Sequence, residues 1–271
     1  GVRFVDIFNE GAHEGGSYAD RGPDINGKVV RVRETDGVHY VYIAHSDGDY
    51  PTGTLVLGRL GGGHRAVFTP GPRRAVDEDS TFFHHGWLIW RETDNLKFRL
   101  MALDLGGDGL PRELPLPEAA EIAWVHPFDA NPLAGDGTLM LELSGFLVPR
   151  RSFLFDLNAG VDGIRYRPLL SQPVEFDASG HMVELLSARS DDGTEVPYHL
   201  VRPKAAKGAV PVLLFGYGGF ASSVEPHYNA VCGKMWLQHG GAYAVAHIRG
   251  GGEFGPALLQ AGRRTATGTK T

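Results

Sequence analysis

Three stretches of this sequence repeat one pattern, an alternating strand, a turn and a second alternating strand: Val38 to Leu60, Trp87 to Leu105 and Leu139 to Leu157. The first reads V-H-Y-V-Y-I-A-H-S, a turn, then G-T-L-V-L-G-R-L, and the second W-L-I-W-R-E-T-D, a turn, then F-R-L-M-A-L-D-L. Alternation with period two sends successive side chains to opposite faces of a sheet. Recurrence at about fifty residues falls in the range of propeller blades, four-stranded sheets that pack face to face on their neighbours. From its start to about Gln172 the chain is therefore expected to be an incomplete β-propeller of about half the blades; strands of this length also suit a β-sandwich. Glycine makes up 38 of the 271 residues, about twice the usual ~7%, and without a collagen period that abundance marks many tight turns.

The character changes at Ser171 to Ser179, which divides the chain into a first domain over 1–172 and a second over 173–271. A hairpin, His181 to Arg189 and Glu195 to Arg202, is turned by Asp191-Asp192-Gly193. The apolar run Val210 to Phe215 predicts a strand buried on both faces. Ala230 to His239 reads as a helix with Val231, Met235 and Trp236 on one face, stopped by Gly240-Gly241, and Ala242 to Ile248 as a second buried strand. Strand, helix and strand in that order give a parallel pair joined by a right-handed crossover, the beginning of an α/β sheet.

Composition narrows the functions. Lys and Arg number 26 against 32 Asp and Glu, a formal charge of −6, so nothing here attracts a phosphate backbone. Hydrophobic residues at 42% and charged residues at 21% are ordinary for a chain that buries a core. No apolar run nears the ~18 residues of a membrane span, so neither nucleic acid nor membrane is expected as a partner. Cys232 stands alone and cannot form an internal disulfide, which favours a reducing, cytoplasmic setting. Gly1 occupies the place of an initiator Met, so a missing native start and a lost signal segment stay open.

Two glycine loops, Gly216 to Ala221 and Gly250 to Gly255, follow the two apolar strands, the end at which α/β sheets place ligands. Both match loose dinucleotide patterns, but neither opens directly into a helix, and the strand after the first ends in His247 and Arg249 rather than an acidic residue. No cofactor is predicted. The runs L-L-F-G-Y-G-G-F at Leu213 to Phe220 and A-H-I-R-G-G-G-E-F-G at Ala246 to Gly255, with W-L-Q-H-G-G between them, are long and specific. With S-G-F-L-V-P at Ser144 and S-x-D-G-T-x-V-P at Ser190, they resemble the prolyl oligopeptidase family of serine peptidases at the start of its catalytic domain.

The resemblance implies a propeller over an α/β-hydrolase domain, with acyl-enzyme hydrolysis of short peptides after proline. It also implies that Tyr217 supplies a hydroxyl to the oxyanion and that Phe220 lines the pocket for the proline ring. Arg249 and Glu253 are expected to pair and shape the second loop.

A serine hydrolase further needs a nucleophile, a histidine and a carboxylate. No G-x-S-x-G elbow occurs in the sequence, and Ser222 and Ser223 come too early in the chain order, so the triad is expected beyond Thr271 and this chain alone is expected to be inactive. The tail Arg264 to Thr271 departs from the family pattern in the manner of a shifted reading frame. A non-catalytic propeller binding module with a vestigial hydrolase segment is the alternative. His84-His85 and His13-Glu14 lack metal-ligand spacing, and Asp77-Glu78-Asp79 reads as a solvated loop.

Overall fold

The computed structural model describes residues 27–34, 38–44, 50–59, 62–107, 109–129, 136–219 and 222–254. Three four-stranded antiparallel sheets follow one another along the chain. The first is β1 (Gly27–Glu34), β2 (Val38–Ala44), β3 (Leu55–Arg59) and β4 (His64–Phe68). The second is β5 (Arg74–His84), β6 (Trp87–Asp94), β7 (Lys97–Asp104) and β8 (Arg112–Glu113). The third is β9 (Ile122–Pro127), β10 (Leu139–Ser144), β11 (Arg151–Phe155) and β12 (Arg167–Ser171).

Strand β6 explains how they stack. Leu88 and Trp90 pack among Val41, Ile43, Leu55 and Leu57 of the first sheet. Ile89, between them, points the other way, into a cluster with Ala123, Val125, Leu139 and Leu141 of the third. All three β6 side chains are at most 1% exposed, and burying an aliphatic side chain this fully is worth about 1.5–3 kcal/mol. A sheet covered on both faces needs three layers, so the two-layer sandwich does not describe this arrangement. Asp77 also departs from the expected solvated loop. It lies in β5 directly across the ladder from Arg91, just before a bulge, and its carboxylate binds the Arg91 guanidinium.

The fourth sheet runs in the order β13 (His181–Arg189), β14 (Glu195–Pro203), β16 (Ala242–Ala246), β15 (Val212–Gly216). As expected, β13 and β14 form an antiparallel hairpin and β15 and β16 a parallel pair. Phe146, in the loop after β10, packs its ring on His199 and Tyr243 and so ties the third sheet to the fourth. Strand β16 is buried as predicted, but β15 is not: Val212, Leu213, Leu214 and Phe215 are 51%, 48%, 69% and 47% exposed. It forms the sheet edge, and among the described residues nothing covers its faces.

Helix α1 (Ala230–Met235) is shorter than expected and continues as a 3-10 turn over Leu237–His239. The Asn229 side chain caps it by accepting the Cys232 N–H at 2.9 Å, and Gly240, in the left-handed region at φ 86°, ends the turn. Its buried side is also not the expected one: Gly233 and Leu237 face the core while Val231 and Met235 face outward. Gly233 decides this, because a methyl group there would overlap the Phe176 ring, which is itself stacked on Tyr228 at 5.2 Å. Gly233→Ala is expected to lower stability by about 1–3 kcal/mol through overpacking. Urea unfolding measures it; an unchanged midpoint would mean that Phe176 has room to retreat.

Candidate active site

The glycine loops after β15 and β16 lie against each other. A side chain at Gly218 would collide with the Arg249 carbonyl, and one at Gly250 with the Gly218 carbonyl; Gly250 moreover holds φ 90°, which favours glycine. Mutual contact accounts for these glycines. Tyr217 leads the first loop, is 42% exposed, and its hydroxyl makes no hydrogen bond among the described residues. Ser222 N–H bonds to the Gly219 carbonyl at 3.0 Å, and Gly252 N–H to the Ser222 carbonyl at 3.4 Å, linking the two loops. Phe220 lies outside the described residues, as does the Arg264 to Thr271 tail.

Arg249 and Glu253 do not pair. Arg249 reaches Asp192 and Thr194 at the β13–β14 turn, where its guanidinium, with the Thr194 N–H, holds the Asp192 carboxyl down to about 2. Glu253 is buried at 5% exposure and takes the Val224 N–H at 2.7 Å and the His247 ring at 3.2 Å on one oxygen. The motif had placed the two charges close in sequence, but the turn points them to opposite sides.

Behind Glu253 stands a second buried histidine. His247 Nε2 and His199 Nδ1 are 2.8 Å apart. One proton lies between the two ring nitrogens, so one of them donates and the other accepts. Burial first, and His247 second, push His199 down to about 4. An unfolded histidine titrates near ~6.5, so the fold resists charging His199, and stability present above that pH is lost as pH falls toward 4. The loss is expected to be on the order of 3 kcal/mol between those limits. Denaturant unfolding across the range checks it: His199→Asn should flatten the slope, and equal slopes in both proteins would contradict it.

The loop also reaches the stacked sheets. Glu225, after Val224, binds Arg91 of β6 and accepts the Trp124 indole N–H at 3.2 Å. Arg91 donates further to the Ala123 carbonyl at 3.3 Å and lies over the Trp124 ring. Thr93 donates its hydroxyl to the Glu253 carbonyl at 3.2 Å. Sequence reasoning missed Arg91, Glu225, His199 and His247; of these only His247 sits in a recognisable motif.

Other chemistries have less to stand on. Ser222 and Ser223 are exposed, and no hydrogen bond joins either to a histidine among the described residues. Burial raises the Cys232 thiol above its ordinary value, the reverse of an activated thiolate. Among the described residues no group of three His, Cys, Asp or Glu is placed to hold a metal ion, and no helix is long and apolar enough to cross a membrane.

No family model matches the sequence. The uncharacterized peptidase y4nA of Sinorhizobium fredii is 39% identical over 181 residues, 66% of this chain and 24% of that protein. The prolyl endopeptidase of Elizabethkingia miricola is 31% identical over 160 residues, 57% of this chain and 21% of that protein. The curated and structural homologues of this chain are prolyl oligopeptidase family peptidases, which it matches over part of their length. It spans about a quarter of the length of these relatives.

Solved members of the family share its fold. The post-proline cleaving enzyme from Rickettsia typhi superposes with a TM-score of 0.68 at 23% identity, covering 84% of this chain and 34% of that one. Prolyl oligopeptidase B from Galerina marginata gives 0.71 at 22% identity, covering 90% and 33%.

Proposed function

We propose that this chain is the oxyanion-donating part of a serine peptidase that cleaves short peptides after proline. The observation that carries the reading is Tyr217: a half-exposed hydroxyl on a loop at the C-terminal end of a parallel strand, in the motif where the family resemblance puts an oxyanion donor. The sequence holds no G-x-S-x-G elbow, so the nucleophile, its histidine and its carboxylate are supplied from outside these residues, and the chain alone does not turn over substrate. The three stacked four-stranded sheets are read as propeller blades within 1–172, and residues 173–271 as the start of the hydrolase domain. Phe220 lines the proline pocket, where a flat apolar ring suits a rigid pyrrolidine. Cys232, half-buried and unpaired, suits a reducing compartment.

The test is a substrate panel on this chain continued by the C-terminal remainder of the Sinorhizobium fredii relative. Amides with proline, alanine or arginine before the cleaved bond are compared by kcat/KM. Proline is expected to lead, and Phe220→Ala to narrow its advantage by about 1–3 kcal/mol. A preference for arginine, or selectivity indifferent to Phe220, would contradict the assignment of the pocket.

A further inference from the structure

The segment leaving the tyrosine loop is gripped at two adjacent residues from opposite sides. Glu225 is held by Arg91 and Trp124 of the stacked sheets, as described, while the Val224 N–H is held by Glu253 from the loop after β16. Only 5% of Glu253 is exposed, and its Oε1 carries both the Val224 contact at 2.7 Å and the His247 contact at 3.2 Å. The His199–His247 contact at 2.8 Å backs the imidazole and fixes its direction. The other carboxylate oxygen, Oε2, is buried without a hydrogen-bond partner among the described residues and folds over Gly251, where a side chain would collide with it. A buried carboxylate with an idle oxygen is costly, so packing alone gives no reason for Glu here.

We propose that Glu253 is a positioning residue: its Oε1 fixes the outgoing end of the loop that begins at Tyr217, and thereby sets where the tyrosine hydroxyl stands. Among the described residues, the rest of the loop contacts itself and the second glycine loop. Strand β15, which leads into it, is exposed, Tyr217 is 42% exposed, and the bonds of Ser222 to Gly219 and of Gly252 to Ser222 keep the loop's own shape without anchoring it to a sheet. Its outgoing end is anchored at the Val224 amide and the Glu225 carboxylate, and the Val224 amide comes first along the chain from Tyr217. This role rests on the reading of Tyr217 as an oxyanion donor, since a shift of about 1 Å in such a group costs on the order of a hundredfold in rate.

Two measurements on Glu253→Ala and Glu253→Gln test it. In this chain, hydrogen–deuterium exchange over 222–226 should quicken by about tenfold or more in the Ala variant while β6 and β10 keep their protection. In the chain continued by the C-terminal remainder of the Sinorhizobium fredii relative, the same variant should lose about tenfold to a hundredfold in kcat with KM within about twofold. Gln, which keeps an oxygen at the Oε1 position, should restore both. If the Ala variant does not fold, Glu253→Asp, which keeps the charge but withdraws the oxygen, should show the same local exchange and the same loss confined to kcat. Unchanged exchange over 222–226 overturns the proposal, as does a loss in KM alone or a Gln variant as impaired as Ala. A parent protein with no turnover sinks the peptidase reading separately, and the exchange arm still decides whether Glu253 holds the loop.

Discussion

Tyr217→Phe, made in the continued enzyme, is expected to lower kcat by about 10²–10³ and to leave KM nearly unchanged. The reason lies in when the charge appears. A substrate carbonyl oxygen carries little negative charge, while the tetrahedral transition state carries most of a full one, so a hydroxyl placed beforehand contributes mainly at the barrier. Phenylalanine keeps the ring and its packing and removes only that donor. Steady-state kinetics on a proline amide measure the effect; a loss appearing in KM instead would make Tyr217 a substrate contact and remove it from the oxyanion site.

Arg91→Ala should cost about 3 kcal/mol of stability, the low end of the range for breaking a buried pair, because the carboxylates left behind reach water. Their side chains, on Asp77 and Glu225, are 24% and 30% exposed, against 7% for Arg91. The guanidinium pairs with both, satisfies the Ala123 carbonyl and lies over Trp124, so its removal sets like charges facing each other across the space it leaves. Replacing all three charges together, by Arg91→Met with Asp77→Asn and Glu225→Gln, should recover most of the loss, since well-packed neutral groups substitute for buried ions at little cost. Urea unfolding of the single and triple variants separates these outcomes. A single variant within about 0.5 kcal/mol of the parent would show that the cluster is solvated rather than structural.

The parts of the fold that were legible in the sequence are those whose partners lie nearby in the chain. In β6, Leu88, Ile89 and Trp90 alternate faces, and that pattern alone announces a sheet with two buried sides. The β13–β14 hairpin was visible in Asp191-Asp192-Gly193, and the parallel pair in two apolar runs flanking a helix. What failed depended on what lies opposite. Val212 to Phe215 is composed for burial, yet pattern reports only the environment a strand suits, and no described residue lies over it. Helix α1 turned its other side inward because Gly233, which carries no hydrophobic signal, is where Phe176 comes close.

The site divides the same way. Tyr217 stands in a local motif that can be seen in the sequence, whereas Arg91 and Glu225 meet across 134 residues and no spacing rule connects them. Asp77 was misread for a related reason: three consecutive acids look solvated until the arginine across the ladder is known. Glu253 was noticed but matched to the wrong partner, since charge proximity in sequence says nothing about which way a glycine turn points each side chain.

With the proposed oxyanion donor in this chain and the nucleophile outside it, covalent labelling reads that division directly. A fluorophosphonate probe reacts with a serine only where a base activates its hydroxyl, and it leaves a mass increment on that residue. This chain should remain unmodified after exposure to the probe, while the chain continued by the remainder of the Sinorhizobium fredii relative should take up one equivalent in the added part. Probe found on Ser222 or Ser223 of this chain would contradict the account, because the nucleophile would then lie on the same loop as Tyr217.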